Sequence, residues 1–106
     1  MFNFRLVEED TKTMVWFEGD MDIEVTELME EEVAPQLFKS KEIQIDFSKV
    51  PFVDSSGIGL LITLVTNLQD HGSKVEIINI SPDVKIVFDL LQLPEILGLD
   101  VLTDFQ

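Results

Sequence analysis

Two adjacent serines follow an aspartate where a loop leads into a predicted helix, in the segment Asp54-Ser55-Ser56-Gly57. The first turn of a helix leaves backbone N–H groups without partners, and the helix dipole favours negative charge there. A hydroxyl at that position can carry a phosphate, which adds about −1.5 to −2 charge units and three acceptor oxygens. Asp54 or Ser55 can equally serve as a simple helix cap, and the spacing alone leaves both interpretations open.

The serine pair lacks the signature of a catalytic nucleophile. A nucleophile elbow needs a glycine two residues before the serine, and none stands there before Ser55 or Ser56. The sequence has one histidine, His71, at a predicted helix end where a surface or capping role is expected. The pair Gly57 and Gly59 does not make a dinucleotide fingerprint, since Ile62 replaces the third glycine. A small acyl- or phosphoryl-transfer enzyme is therefore disfavoured, and we expect neither catalysis nor a cofactor.

Acidic residues after the second predicted strand have the spacing of a calcium-binding loop. The set consists of Asp20, Asp22, Glu24, Thr26 and Glu31. Val25 stands where such a loop needs a glycine for its sharp turn, and the segment has helical periodicity. We therefore expect no metal site. The simpler expectation is a turn in which Asp20 or Asp22 caps a helix, followed by a solvated acidic face.

Alternation and helical periodicity predict the elements that position these residues. A hairpin of residues 2–7 and 13–18 precedes an amphipathic helix whose apolar positions include Ile23, Leu28, Val33 and Leu37. A strand at 42–47, a helix at 57–70, a strand at 74–80 and a helix opened by Ser81-Pro82 follow. An edge strand around Val101 and Leu102 is a further expectation. The order β-β-α-β-α-β-α predicts an α/β fold, a mixed four- to five-stranded sheet with helices layered on it.

Two of the predicted helices are rich in apolar residues. The helix after the serine pair carries Ile58, Leu61, Ile62, Val65 and Leu68 at core spacing, with Leu60 and Leu64 in addition. That surplus predicts either deep burial or a face offered to a partner. In the next helix, Val84, Ile86, Val87, Leu90 and Leu91 are expected to fill the apolar side.

Composition limits the possible partners. The 106 residues contain 7 Lys/Arg and 21 Asp/Glu, a formal charge of −14, with 45% hydrophobic residues and no cysteine. We expect one domain over residues 1–106 and a monomer. The charge opposes nucleic acids and anionic membranes, so basic proteins are the expected partners, unless acidity serves solubility alone. No signal-peptide pattern or membrane-length apolar run occurs, which predicts a cytoplasmic location.

The segments resemble the STAS family of anti-sigma factor antagonists in type and in order. The similarity extends over almost the whole chain. It is carried by Gly19-Asp20-Met21-Asp22, Ile45-Asp46-Phe47, Phe52-Val53-Asp54-Ser55-Ser56-Gly57-Ile58-Gly59, Gly72 and Ile80-Ser81-Pro82-Asp83-Val84-Lys85-Ile86-Val87-Phe88-Asp89-Leu90.

The resemblance implies a protein that binds an anti-sigma factor serine kinase and thereby frees a sigma factor. It implies Ser55 as the residue that this kinase phosphorylates to end the interaction, and a serine phosphatase that reverses the modification. Asp22 and Asp54 would lie beside Ser55, where added phosphate meets like charge. The partner-binding surface is then expected to comprise Asp20, Asp22, Asp54, Ser56, Gly57, Ile58, Leu60 and Leu64.

Two departures from the family pattern leave the partner open. The first helix is unusually acidic between Glu27 and Glu32, and Gln69-Asp70-His71 replaces a more basic helix end. The alternative is a STAS adaptor subunit that is not phosphorylated and belongs to a transporter or a stress-sensing complex.

Overall fold

The computed structural model describes residues 2–106 and contains one four-stranded sheet. Its strands are β1 (Asn3–Glu9), β2 (Lys12–Glu18), β3 (Glu42–Lys49) and β4 (Lys74–Ile78), in the spatial order β1-β2-β3-β4. The hairpin partners β1 and β2 are antiparallel, whereas β2, β3 and β4 run parallel to one another. Parallel neighbours require crossover connections, and helices supply both of them. The predicted mixed sheet is confirmed.

Helices follow the strands in the predicted order. The segment α1 consists of a 3-10 turn at Ile23–Val25, an α turn at Thr26–Leu28, a π turn at Met29–Val33 and an α turn at Ala34–Leu37. The remaining helices are α2 (Ser55–Asp70), α3 (Pro82–Leu90) and α4 (Leu93–Leu97), and a 3-10 turn at Thr103–Phe105 ends the chain. The Ser81 hydroxyl caps α3 by accepting the Val84 N–H, and Pro82 occupies the first turn, as predicted.

The hydrophobic core lies between one face of the sheet and the helices. Alternate side chains of β2, β3 and β4 are fully buried, among them Val15, Phe17, Ile45, Phe47 and Ile77. The intervening residues Trp16, Gln44 and Glu76 point to the other face and are half-buried. Apolar residues of α2 and Phe88 of α3 complete the core, with the Phe47 and Phe88 rings edge to face at 5.8 Å. This alternation explains why β2 and β3 could be predicted from the sequence.

One prediction about the C-terminal region was wrong, and the apolar side of α3 is only partly buried. Val101 and Leu102 form no edge strand: both are buried in a turn, and only the Val101 carbonyl reaches β4, accepting the Ile77 N–H at 2.8 Å. Their apolar character serves the core. On α3, Ile86, Leu90 and Leu91 do not pack on the core but are exposed, because Val84 and Phe88 occupy the buried side of this short helix.

Candidate functional site

Ser55 lies at the edge of the sheet where β2 and β3 end. After β3 the chain continues beside the Gly19–Glu24 turn, and Met21 and Val53 form a parallel bridge. The Met21 N–H donates to the Phe52 carbonyl at 2.9 Å, and the Asp54 N–H donates to the Met21 carbonyl at 3.3 Å. These bonds hold the loop before Ser55 against the turn after β2. Both segments contain residues of the partner-binding surface predicted from the sequence, and the structure brings the two segments together.

Asp54, and not Ser55, caps α2. Its backbone is extended, and its carboxylate accepts the Gly57 N–H at 2.9 Å. Ser55 and Ser56 are therefore the first two residues of the helix. Ser55 is exposed, and within residues 2–106 its hydroxyl makes no side-chain hydrogen bond. Because the Asp54 carboxylate caps α2, the exposed Ser55 hydroxyl is not needed for helix capping.

Gly57 is required for packing inside the protein. A Cβ on this residue would lie 2.1 Å from the Met21 carbonyl oxygen and 3.0 Å from a Val53 methyl. Any larger residue would push α2 away from the turn that carries Asp22. Gly59, by contrast, faces open space, with nothing within 4 Å of a Cβ. The glycine that leaves room for another protein is thus Gly59, while Gly57 leaves room for Met21.

Asp22 and Asp54 bring two carboxylates to the same level of the sheet edge. Each directly follows one member of the parallel bridge between Met21 and Val53, and neighbouring strands are about 4.8 Å apart. Asp22 caps the 3-10 turn at Ile23–Val25, its carboxylate accepting the Glu24 N–H at 3.0 Å. Phosphate on Ser55 would therefore join two carboxylates already in place.

The other predicted partner-binding residues fall into three groups by exposure. Asp20 is exposed, and Asp22, Asp54, Ser56 and Leu60 are half-buried. The buried group comprises Gly57, Ile58 and Leu64, the last with 2% of its surface exposed. These three residues are covered by the protein itself, and their contact with a partner stays a prediction.

The burial of Leu64 follows from the position of α2, which packs on the sheet and against α1 at once. A helix covered from two sides needs more than one apolar stripe. Leu60 remains half-buried on the wall of a cavity of about 260 Å³ that also borders Met29, Phe38 and Thr63. The surplus of leucines in α2 is therefore explained mainly by the core.

Two apolar side chains beside Ser55 escaped prediction. Ile23 is 65% exposed and Phe52 is 50% exposed. Ile23 is one of the apolar positions of the predicted amphipathic helix, but it begins the 3-10 turn and is exposed to solvent. Phe52 lies in the loop before Asp54. An apolar residue in a predicted loop, outside any strand or helix pattern, was the sequence signal that could have identified it.

A cavity of about 440 Å³ adjoins this region and is lined by Phe2, Asp20, Asp22, Glu24, Val25 and Leu28. Three of its six lining side chains are carboxylates, so it suits a cationic side chain. We call Asp20, Asp22, Ile23, Phe52, Asp54, Ser55 and Ser56 the Ser55 surface.

Asp46 stabilises the end of the sheet where the chain leaves β3 and continues to Ser55. It is buried, and its two carboxylate oxygens accept hydrogen bonds at 2.8 Å from the Ser48 N–H and the Asn79 side-chain amide. Burial disfavours the charged form, but the hydrogen bonds from Ser48 and Asn79 outweigh it and hold the pKa of Asp46 below its ordinary value. The ends of β3 and β4 are thereby joined.

The described residues give no indication of metal chemistry or of a membrane span. Between Phe2 and Gln106, no three acidic or histidine side chains converge in a way that could hold a metal ion. In the same part of the chain, no helix is long and apolar enough to cross a membrane.

Comparison with solved structures finds the same fold in proteins of different roles. The phosphorylated form of the Bacillus cell fate determinant SpoIIAA is 23% identical, with 88% of this chain and 86% of that chain covered and a TM-score of 0.66. An anti-sigma factor antagonist from Mycobacterium paratuberculosis is 18% identical, with 90% and 81% covered and a TM-score of 0.76. A sulfate transporter family protein from Wolinella succinogenes is 16% identical, with 90% and 78% covered and a TM-score of 0.75.

At these identities the structural likeness establishes the fold. The sequence itself matches the STAS domain over residues 3–103, from the start of β1 to the last turn. The match includes the Gly19–Glu24 turn, the Ser55 loop and α3. The chain belongs to the STAS domain family.

Proposed function

We propose that this protein is an anti-sigma factor antagonist that binds an anti-sigma factor serine kinase through the Ser55 surface. The observation that carries the proposal is the position of Ser55, exposed on the first turn of α2 and released from capping by Asp54. The SpoIIAA and mycobacterial structures, described as a cell fate determinant and an anti-sigma factor antagonist, support the same role.

The unphosphorylated surface suits a basic partner. Ile23 and Phe52 supply apolar area that is not needed by the core, and exposed apolar groups rimmed by polar ones are typical of protein interfaces. Asp20 and Asp22 add negative charge around them. The complementary face of the kinase would therefore have an apolar recess beside Lys or Arg side chains.

Phosphorylation of Ser55 would change this surface at its centre. The phosphate adds about −1.5 to −2 charge units next to Asp22 and Asp54. The positive end of the α2 dipole makes that charge tolerable in the free protein. A partner that packs against the neutral hydroxyl would have to bury the new charge without a matching group, which is costly. Binding would end, and a serine phosphatase would restore it in the cytoplasm.

The alternative function is that of a STAS adaptor that is not phosphorylated. The fold shared with the sulfate transporter family protein favours this second candidate. An adaptor function does not depend on modification of the Ser55 hydroxyl, whereas the antagonist function requires that hydroxyl to be phosphorylated.

Incubation with the cognate serine kinase and ATP, followed by peptide mass spectrometry, separates the two functions. We expect one phosphate on the wild type, located on Ser55, and none on Ser55→Ala. The matched control is Ser56→Ala, which removes the neighbouring hydroxyl and should be phosphorylated like the wild type. Phosphate on Ser56 alone would remove Ser55 as the switch, and phosphate on neither serine would favour the adaptor.

A further inference from the structure

The surface of α3 and α4 carries most of the exposed apolar side chains of the described residues. Of eight large hydrophobic side chains that are exposed between Phe2 and Gln106, five lie within positions 86–99. Leu90 is 75% exposed and Ile86 57% exposed, and the two are four residues apart on one face of α3. We call Ile86, Leu90, Leu91, Ile96 and Leu99 the α3–α4 patch.

Core packing does not account for these residues. Val84 and Phe88 form the buried side of α3, and Leu93 that of α4. Exposed apolar residues scattered singly are ordinary, but a set concentrated on two consecutive helices and the residues just after them is typical of a binding surface. No residue of the Ser55 surface belongs to this set.

Carboxylates accompany the patch. Asp83 and Asp89 lie three residues before and after Ile86, on the same face of α3, and both are exposed. Glu95 and Asp100 are the exposed chain neighbours of Ile96 and Leu99.

The single basic residue among positions 81–106 is Lys85, and its ammonium is already engaged. Its Nζ donates to the Asp104 carbonyl at 3.3 Å and lies 5.9 Å from the centre of the Phe105 ring. The apolar patch therefore has an anionic rim without a free cation.

We propose that the α3–α4 patch is a second docking surface, which binds a cationic amphipathic helix of a partner protein. Such a helix would cover the apolar side chains with its own apolar face and place Lys or Arg beside Asp83 and Asp89. A second copy of this chain fits less well, because it would bring the same carboxylates against each other. An anionic membrane surface would be repelled for the same reason.

The test uses a short synthetic helix of leucine and lysine at amphipathic spacing, titrated into the full chain and followed by fluorescence anisotropy and amide NMR. We expect shift changes confined to residues 82–99. Asp83→Asn/Asp89→Asn and Ile86→Ser/Leu90→Ser should each weaken binding by about fivefold or more. The matched control is Glu30→Gln/Glu31→Gln, which removes equal charge from exposed positions of α1 and should change affinity by less than about twofold.

Equal weakening by both charge pairs would show attraction by net charge alone and would overturn the proposal, as would shift changes centred on the Ser55 surface or no binding. Two further measurements address other occupants. Self-association in sedimentation that Leu90→Ser abolishes would assign the patch to a second copy. Binding to phosphatidylglycerol vesicles that the same variant loses would assign it to a membrane.

Discussion

The Met21 carbonyl oxygen occupies the space that a side chain on Gly57 would need, 2.1 Å from the position of its Cβ. This contact joins the turn after β2 to the first turn of α2, so that Asp22 and Ser55 are held at one sheet edge. The position of the Ser55 surface therefore depends on a residue that is itself buried.

Gly57→Ala should destabilise the protein and displace the Ser55 loop. The new methyl group must move backbone atoms of Met21, and overpacking of this kind costs about 1–3 kcal/mol of unfolding free energy. Gly59→Ala is the matched control: it lies on the same helix and meets no atom within 4 Å, so it should be neutral or stabilising by up to about 1 kcal/mol. Urea denaturation of both variants measures the difference, and equal stabilities would contradict the proposed packing role.

Ser55→Asp should weaken binding to the serine kinase, whereas Ser55→Ala should bind like the wild type. Aspartate brings less charge than phosphate and a different geometry, so we expect a partial loss, on the order of 1–2 kcal/mol. Thr66→Asp adds the same charge at an exposed position farther along α2 and serves as the control. Calorimetric titrations with the kinase compare the variants. A similar loss in Thr66→Asp would point to net charge, not to the Ser55 position.

Ile23→Ser and Phe52→Ser should reduce kinase affinity without unfolding the protein. If these exposed side chains are buried by the partner, each truncation should cost about 1–3 kcal/mol of binding free energy. Their effect on folding should stay within about 0.5 kcal/mol, since neither belongs to the buried core. Val7→Ser, which removes an exposed apolar side chain of β1 that belongs to neither the Ser55 surface nor the α3–α4 patch, is the control. Unchanged affinity in the first two variants would exclude them from the interface.

Asp46→Asn should destabilise the protein in a pH-dependent way. The folded-state pKa of Asp46 is lowered, so its charged form stabilises the fold above the unfolded pKa of about 3.9, and that stabilisation is lost as pH falls through the folded value. The deficit of the variant should thus be about 1–3 kcal/mol at pH 7 and shrink below about pH 4.

Thermal denaturation across this pH range tests the prediction for Asp46. Asp20→Asn removes an exposed carboxylate at the same sheet edge and is the control, with an expected change within about 0.5 kcal/mol at pH 7. A deficit of Asp46→Asn that stayed constant down to pH 3 would mean that its carboxylate does not contribute through its charge.

Local sequence signals were sufficient to predict the order of the elements, the strands β2 and β3, the capped start of α3 and the location of the serine pair at a helix start. These features depend on local rules: alternation with period two, helical periodicity, and side chains that cap the nearest backbone N–H groups. The STAS resemblance added the expectation that the turn at Asp22 lies near Ser55.

Which apolar residues are buried became clear only from the packing of the elements against one another. Leu64 and Ile58 lie in the core because α2 is covered by both the sheet and α1, while Ile23, Phe52 and Leu90 are exposed because no element packs over them. The roles of Gly57 and Gly59 likewise differ through a neighbour 36 residues away in the chain, Met21. Burial depends on contacts between segments that are distant in sequence. Local periodicity does not show which of these segments pack against each other.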